Sequence, residues 1–462
     1  DEFQDINLLD LELLKKIIKK HEKDQKFIDI NNQLQETVRL SDLILKILKF
    51  VFCLSILIVE EILLERSQLI NKKENPLCPI CNRPLESKGT PNRKMRTLIG
   101  MVKWHRRVFR CPYGCSIGQI VPFDDELEIK PNQKISNELK QMACLLAIFL
   151  PYQIASTLMT ALIGVKIAHT TIFNWVQCIG KQAKLKIENE LKALSENELP
   201  DKAEIDKKIK DLLMAIGGDG VMVPFRQNGG SPEGKTKWRE VKIGIFARLG
   251  KKITKSGKVV KVIVRKRVVA VLGTINEFKD RMELMALKEG INDSKEVIWL
   301  SDGGAGYWGV FYDLFSKRAQ GILDFYHGVQ NVWKGAKIWL DGRTKKSNEW
   351  FVKARRKIKS GNVKSVITEI KEALSENKLP EETEKVLQNL IIYLEKHIAH
   401  MSYDKFKDMG FPIGSGMVES TCKWLIQQRF KGVGMRWSED GFNNLLHLRL
   451  AWVNETFTDL FM

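Results

Sequence analysis

The sequence predicts a multidomain α+β protein whose mixed α/β core is interrupted by an all-helical insertion. Three observations carry that prediction. Residues 213–220 and 298–304 are short apolar runs, each delivering an aspartate (Asp219 and Asp302) next to glycine. Residues 1–75 and 331–410 instead follow a helical period. Between these regions, the cysteine pairs Cys78/Cys81 and Cys111/Cys115 flank an Arg- and Lys-rich segment with strand-like alternation.

The totals narrow the function classes. At 462 residues the chain has room for about two to four domains. A formal charge of +19 points to a polyanionic partner, nucleic acid first. The longest apolar run, residues 50–59, is about half what a membrane span needs and is flanked by Lys49 and Glu60, so no membrane partner is expected. There is no signal-peptide pattern, and four of the eight cysteines are scattered. A reduced, cytoplasmic, nucleoid-associated setting with one metal site is expected rather than a disulfide framework.

In order along the chain, residues 1–75 read as charged helices. A hairpin, an oligomerisation element or a DNA-facing arm all suit them. Residues 76–125 read as a zinc ribbon. Cys78, Cys81, Cys111 and Cys115 offer four thiolates for a structural Zn²⁺, with strands expected at 97–100 and 102–110. His105 fits a solvated strand position better than a ligand. Residues 135–180 read as a helix-turn-helix: a helix at 152–158, a turn at Gly164, and a second helix presenting His169, Thr170, Thr171 and Asn174 to DNA. Any two packed helices compete with that reading.

Residues 211–330 form the first part of the core. A strand ending at Asp219 is followed by strands at 238–247 and 259–271. Residues 251–267 carry eight basic and no acidic residues, among them Arg265, Lys266 and Arg267. They suit a phosphate backbone, or a lysine-protected sheet edge. A helix at 277–288 leads to the Asp302 strand, and one at about 307–317 leads to residues 321–327. Residues 331–410 are the helical insertion, and residues 411–462 return to the core with Glu419 in the first turn of a helix.

Two strand-borne aspartates and a late helix-borne glutamate are what an RNase H-like nuclease core requires. Phosphodiester chemistry must stabilise charge on the attacking and the leaving oxygen, and two magnesium ions about 4 Å apart, held by hard carboxylate oxygens, do this. Each acid alone reads equally well as a turn aspartate or a helix-terminal glutamate; the set of three is more specific.

These residues carry a resemblance. The segments Gly218-Asp219-Gly220, Trp238-x-Glu240-Val241-Lys242, Ser301-Asp302-Gly303, Asp324-Phe325-Tyr326-His327, Gly414-Ser415-Gly416-x-Val418-Glu419-Ser420 and residues 429–437 resemble the DDE transposases of bacterial insertion sequences. The similar branch is the mutator type, with an Asp/Cys-x-x-His motif after the second aspartate. The resemblance covers residues 76–455. It implies that Asp219, Asp302 and Glu419 bind Mg²⁺ (or Mn²⁺) for DNA cleavage and strand transfer at transposon ends. It also implies that Asp324 and His327 are accessory, and that Arg429, Lys431 and Arg436 grip phosphate. Double-stranded DNA, as transposon ends and target, and further copies of the chain are the implied partners. A non-catalytic DNA-binding regulator and an RNase H-like nuclease without transposition are the alternatives.

Overall fold

A computed structural model describes residues 11–71, 74–227, 236–257, 259–376 and 379–462. The chain divides into two compact units, residues 1–175 with 461–462, and residues 176–460. Among the described residues no helix is long and apolar enough to cross a membrane.

The first unit opens with α1 (Leu11–His21), α2 (Gln25–Gln35) and the long α3 (Leu40–Asn71). Lys20 of α1 is ion-paired to Glu61 of α3 at 2.5 Å. The cysteine region holds two short antiparallel pairs, β1 (Glu86–Ser87) with β4 (Phe109–Arg110) and β2 (Asn92–Thr97) with β3 (Gly100–His105). Residues 97–100, expected as a strand, instead make the tight turn between β2 and β3. Gly100 there has φ of 131°, a conformation that glycine alone adopts cheaply. After α4 (Pro122–Glu126) come α5 (Asn137–Phe149) and α6 (Tyr152–Ile163). Gly164, at φ 70°, ends α6 in the left-handed conformation. From α6 the chain passes to α7 (His169–Ser195), which runs on into the second unit.

The second unit is built on one five-stranded sheet. After the single turn α8 (Lys207–Lys210) come β5 (Leu213–Phe225), β6 (Lys237–Ile253) and β7 (Val259–Val271), joined antiparallel. Next follow α9 (Ile275–Lys288), β8 (Val297–Ser301), α10 (Ala305–Val310) with a π-turn at Phe311–Phe315, and β9 (Gln320–Leu323). The order across the sheet is β7-β6-β5-β8-β9, with β8 and β9 parallel to β5. Thr274 and Glu277 form a reciprocal capping box that starts α9 two residues earlier than its apolar period suggests.

β5 does not end at Asp219 but runs on to Phe225, because β6 pairs with it without a break from Leu213↔Leu249 to Phe225↔Lys237. Asp219 therefore lies within a strand, at the point where the parallel partner β8 stops.

The helical insertion comprises α11 (Phe325–Trp339), α12 (Lys345–Lys359), α13 (Val363–Glu376), α14 (Glu381–His397) and α15 (Tyr403–Asp408). It shares a single hydrophobic core with the sheet: Ile358, Val366 and Leu394 join Ile298, Trp299 and Ile322, all fully buried. Trp299 stacks on Phe315 with ring centroids 5.4 Å apart. Deleting a buried ring of this size costs about 3–5 kcal/mol, so this contact is a main tie between β8 and the helices on its face. The chain closes with α16 (Gly416–Cys422), a π-turn at Lys423–Gln427, α17 (Gln428–Phe430) and α18 (Glu439–Val453).

Candidate functional site

The acid cluster follows from strand register. In the parallel pair β5/β8, Gly218 sits opposite Ser301, and the Ser301 hydroxyl donates to Gly218 O at 3.2 Å. The next residue along each chain is an aspartate, Asp219 inside β5 and Asp302 just past the end of β8, near enough that the charge of Asp302 acts on Asp219. Packing explains the glycines around them. A Cβ on Gly217 would lie 2.4 Å from Leu300 O and 2.7 Å from Val418 of α16. One on Gly220 would meet Glu240 Oε1 at 2.0 Å. The same closeness brings α16, and Glu419 in its first turn, against β5.

Each acid is held differently. Asp219 Oδ1 accepts the Gly220 N–H at 2.7 Å, and the Cys422 thiol, one turn beyond Glu419, lies 3.7 Å from Oδ2. Burial first, then the charge of Asp302, holds the Asp219 carboxyl above the usual carboxylate range, against the pull of Gly220 and Cys422. Burial, followed by Asp219 itself, pushes the Cys422 thiol up, so it stays a proton donor to the carboxylate. Asp302 accepts the Gly304 N–H at 3.0 Å and, through its carbonyl, Trp308 Nε1 at 2.6 Å. Glu240 accepts the Tyr307 hydroxyl at 3.3 Å and pairs with Lys242 at 3.0 Å, on the face of the sheet that Gly218 and Gly220 share with Tyr307.

Asp324 is 1% exposed and is a structural clamp. It caps α11, with Oδ1 accepting the His327 N–H at 2.7 Å. Its Oδ2 accepts the Ser415 N–H at 2.5 Å and the Ser415 hydroxyl at 2.6 Å. Phe325 N donates to Ile413 O at 2.9 Å beside it. The end of β9 thus pins the loop that launches α16. His327 Nδ1 lies 3.3 Å from Asp324 Oδ1 and 4.0 Å from Glu419 Oε1, and Lys423 Nζ is 3.9 Å from Glu419 Oε2.

As the side chains stand, the ligand atoms within 4.8 Å of one another belong to Asp324, His327 and Glu419, not to Asp219, Asp302 and Glu419. Donors already occupy both oxygens of Asp324. Asp219, Asp302 and Glu419 supply the hard oxygens that Mg²⁺ prefers. The raised Asp219 carboxyl beside Asp302 is a place where a divalent cation would relieve repulsion. The Glu419 side chain, 41% exposed, has room to turn towards them.

In the first unit, the Sγ atoms of Cys78, Cys81, Cys111 and Cys115 lie within 4.8 Å of one another. The Cys81–Cys111 separation is 3.7 Å. Zinc–sulfur bonds of about 2.3 Å in a tetrahedron place the sulfurs about 3.8 Å apart, so this donor set fits zinc. Crowding makes joint ionisation costly. Cys115 is pushed up to about 12, first by its hydrogen bond to Cys111 and then by burial, and a divalent cation is what lets such thiols ionise together. His105 is exposed on β3 and outside this set.

The expected nucleic-acid contacts divide into two groups. His169, Thr170 and Asn174 are exposed at the start of α7, with Thr171 half-buried. Lys431 and Arg436 are exposed, and Lys431 lies over Trp238. Lys251, Lys252, Lys255 and Lys261 point outward from the β6–β7 hairpin, while Lys258 lies outside the described residues. Arg265, Arg267 and Arg429, expected on phosphate, are turned inward instead. Arg265 pairs with Glu289, Arg267 with Glu455, and Arg429 is 2% exposed beneath Trp437. Lys266 is half-buried over Trp424. On β7, alternation puts Arg265 and Arg267 on the face that meets α9 and α18 and Lys266 on the other, while Arg429 is carried by α17. Sequence reasoning missed Ser415 and Cys422. Cys422 follows Glu419 by one helical turn, a spacing that puts both on one face.

A profile of the family described as "Uncharacterised protein family (UPF0236)" matches residues 33–459. No curated protein matches the sequence. Among solved structures, the Drosophila P element transposase strand transfer complex aligns with 71% of this chain and 82% of that chain, at 11% identity and a TM-score of 0.27.

Proposed function

The chain belongs to the uncharacterised protein family UPF0236, and we propose that it is a DNA transposase with an RNase H-like catalytic core. In this reading it cuts and joins DNA at transposon ends, in the manner of the mutator-type insertion-sequence enzymes its motifs resemble. The observation that carries the reading is the Gly218↔Ser301 pairing of adjacent parallel strands, with Asp219 and Asp302 the next residue on each chain and α16, which bears Glu419, packed against β5. The sheet order supports it: three antiparallel strands extended by two parallel ones, with acids on the first and fourth, is the layout this nuclease core uses.

Magnesium, when bound, supplies stabilisation of charge on the attacking and leaving oxygens of a phosphodiester. Asp219, Asp302 and Glu419 are the residues that would hold it. Asp324 fixes the loop through Ser415 and so fixes where Glu419 can reach. His327 and Lys423 flank Glu419, where they can orient a scissile phosphate by charge and hydrogen bonding. The exposed start of α7 reads sequence, and the exposed lysines of the β6–β7 hairpin hold the phosphate backbone. The four cysteines take a structural zinc.

The test is cleavage and strand transfer on duplexes ending in the terminal inverted repeats that flank the gene. Activity with Mg²⁺, lost with EDTA and in Asp302→Ala, is the expected result. A folded, DNA-binding chain with no cleavage in Mg²⁺ or Mn²⁺ would leave a non-catalytic regulator. Cleavage of RNA or branched DNA without end joining would leave a nuclease.

A further inference from the structure

Away from the acid cluster, the second unit holds a cavity of about 430 Å³ bounded by α7, β7, α9, α18 and the chain that follows α18. That volume suits a small organic molecule. Much of its wall is apolar, from Val268, Leu284, Leu450, Ala451 and Leu460. Most of its inner cations are committed: Arg265 to Glu289, Arg267 to Glu455 and Lys288 to Glu190.

Two buried polar atoms in the wall have no hydrogen-bond partner, while Lys186, Asp201 and Glu204 line it from exposed positions. Arg281 Nε is buried without a hydrogen-bond partner, and no carboxylate among the described residues lies within ion-pair distance of its guanidinium. Burial holds that guanidinium below its usual range, against the longer-range pull of Glu277, Glu188 and Asp280. His447 is 2% exposed, and its Nδ1 lies 2.7 Å from Asn443 O, so Nδ1 carries the ring proton. Its Nε2 is then an acceptor, buried and unpartnered. Burial, and after it the nearby charges of Arg281 and Lys184, lowers the imidazole to about 4, so the ring is neutral at physiological pH.

A half-buried cation without a direct ion-pair partner is costly, and so is a buried acceptor without a donor. An anion over an apolar body relieves the first, and a hydroxyl or N–H beside it relieves the second. We propose that this cavity binds a small carboxylic acid with an apolar body, its carboxylate on Arg281 and any neighbouring hydroxyl on His447 Nε2. An amine meets repulsion from Arg281. A neutral alcohol leaves the guanidinium unpaired, and inorganic phosphate leaves the apolar wall unfilled. The site is independent of the catalytic reading, since none of its lining residues belongs to the acid cluster.

The test is titration calorimetry of the full chain with hexanoate, hexanol, hexylamine and 2-hydroxyhexanoate. Saturable binding of hexanoate at one site is expected, with hexanol and hexylamine at least about 10-fold weaker, as a charge-assisted hydrogen bond implies. Arg281→Met should weaken hexanoate at least about 10-fold. His447→Gln should leave hexanoate unchanged while altering the preference for the 2-hydroxy acid. No saturable hexanoate binding, equal affinity for hexylamine, or unchanged affinity in a folded Arg281→Met chain would each overturn the proposal. Should either variant fail to fold, the comparison of head groups on the unaltered chain decides.

Discussion

Replacing Asp324 or Ser415 tests how Glu419 is held. The Asp324 carboxylate is 1% exposed and accepts the His327 N–H, the Ser415 N–H and the Ser415 hydroxyl. A hydrogen bond to a charged group is worth about 1.5–3 kcal/mol, and an Asp helix cap about 0.5–2 kcal/mol. Ser415→Ala removes only the hydroxyl donor and should cost about 1.5–3 kcal/mol. Asp324→Ala removes the cap and strands two buried donors of Ser415. It should cost about 3–5 kcal/mol, less than a simple sum because one carboxylate serves all three bonds. Asp324→Asn keeps an acceptor and should fall between them. Urea unfolding followed by tryptophan fluorescence measures each difference. In each variant the DNA affinity should persist while Mg²⁺-dependent cleavage falls, since the latch positions Glu419 rather than the DNA. An Asp324→Ala chain within about 0.5 kcal/mol of the unaltered protein would refute the latch.

Other consequences are equally open to measurement. Because folding raises the Asp219 carboxyl, stability from this site is fully present below the unfolded-state value and is lost as pH rises through the folded one. Asp219→Asn should therefore melt higher than the unaltered chain at pH 7 in EDTA, and the gap should close in acid; a lower melting temperature at pH 7 would contradict this. Gly217→Val should cost about 3 kcal/mol or more, because its Cβ would meet Leu300 O at 2.4 Å, and thermal unfolding reads the loss directly. Elemental analysis should find one zinc per chain, lost in Cys78→Ala together with protease resistance between Cys78 and Cys115; a zinc-free, resistant chain would remove the metal from the cysteine cluster. DNA affinity should fall steeply with salt, and a flat dependence would count against phosphate contacts by the exposed lysines.

The local features of this fold were legible in the sequence. The apolar run before Asp302 is β8, the Gly164 break is a left-handed helix end, and the two cysteine pairs do converge. What needed the structure was long-range. The Gly-Gly-Asp-Gly run at 217–220 has the composition of a turn, yet it continues as strand. Pairing with β6 overrides local propensity there, and the glycines answer to close neighbours rather than to a bend. Basic residues were counted correctly but could not be assigned a side: Arg265 and Arg267 are ion-paired to acids 24 and 188 residues away. The Asp324–Ser415 clamp spans 91 residues, which no local pattern reports. Helical periodicity announced the insertion, but not that its helices share one core with β8 and β9.

Crystals grown with Mn²⁺ and measured for anomalous scattering would put the acid cluster to its most direct test. Manganese peaks in contact with the carboxylates of Asp219, Asp302 and Glu419 are the predicted result. Manganese held only by Asp324, His327 and Glu419, with nothing beside Asp219 and Asp302, would contradict it.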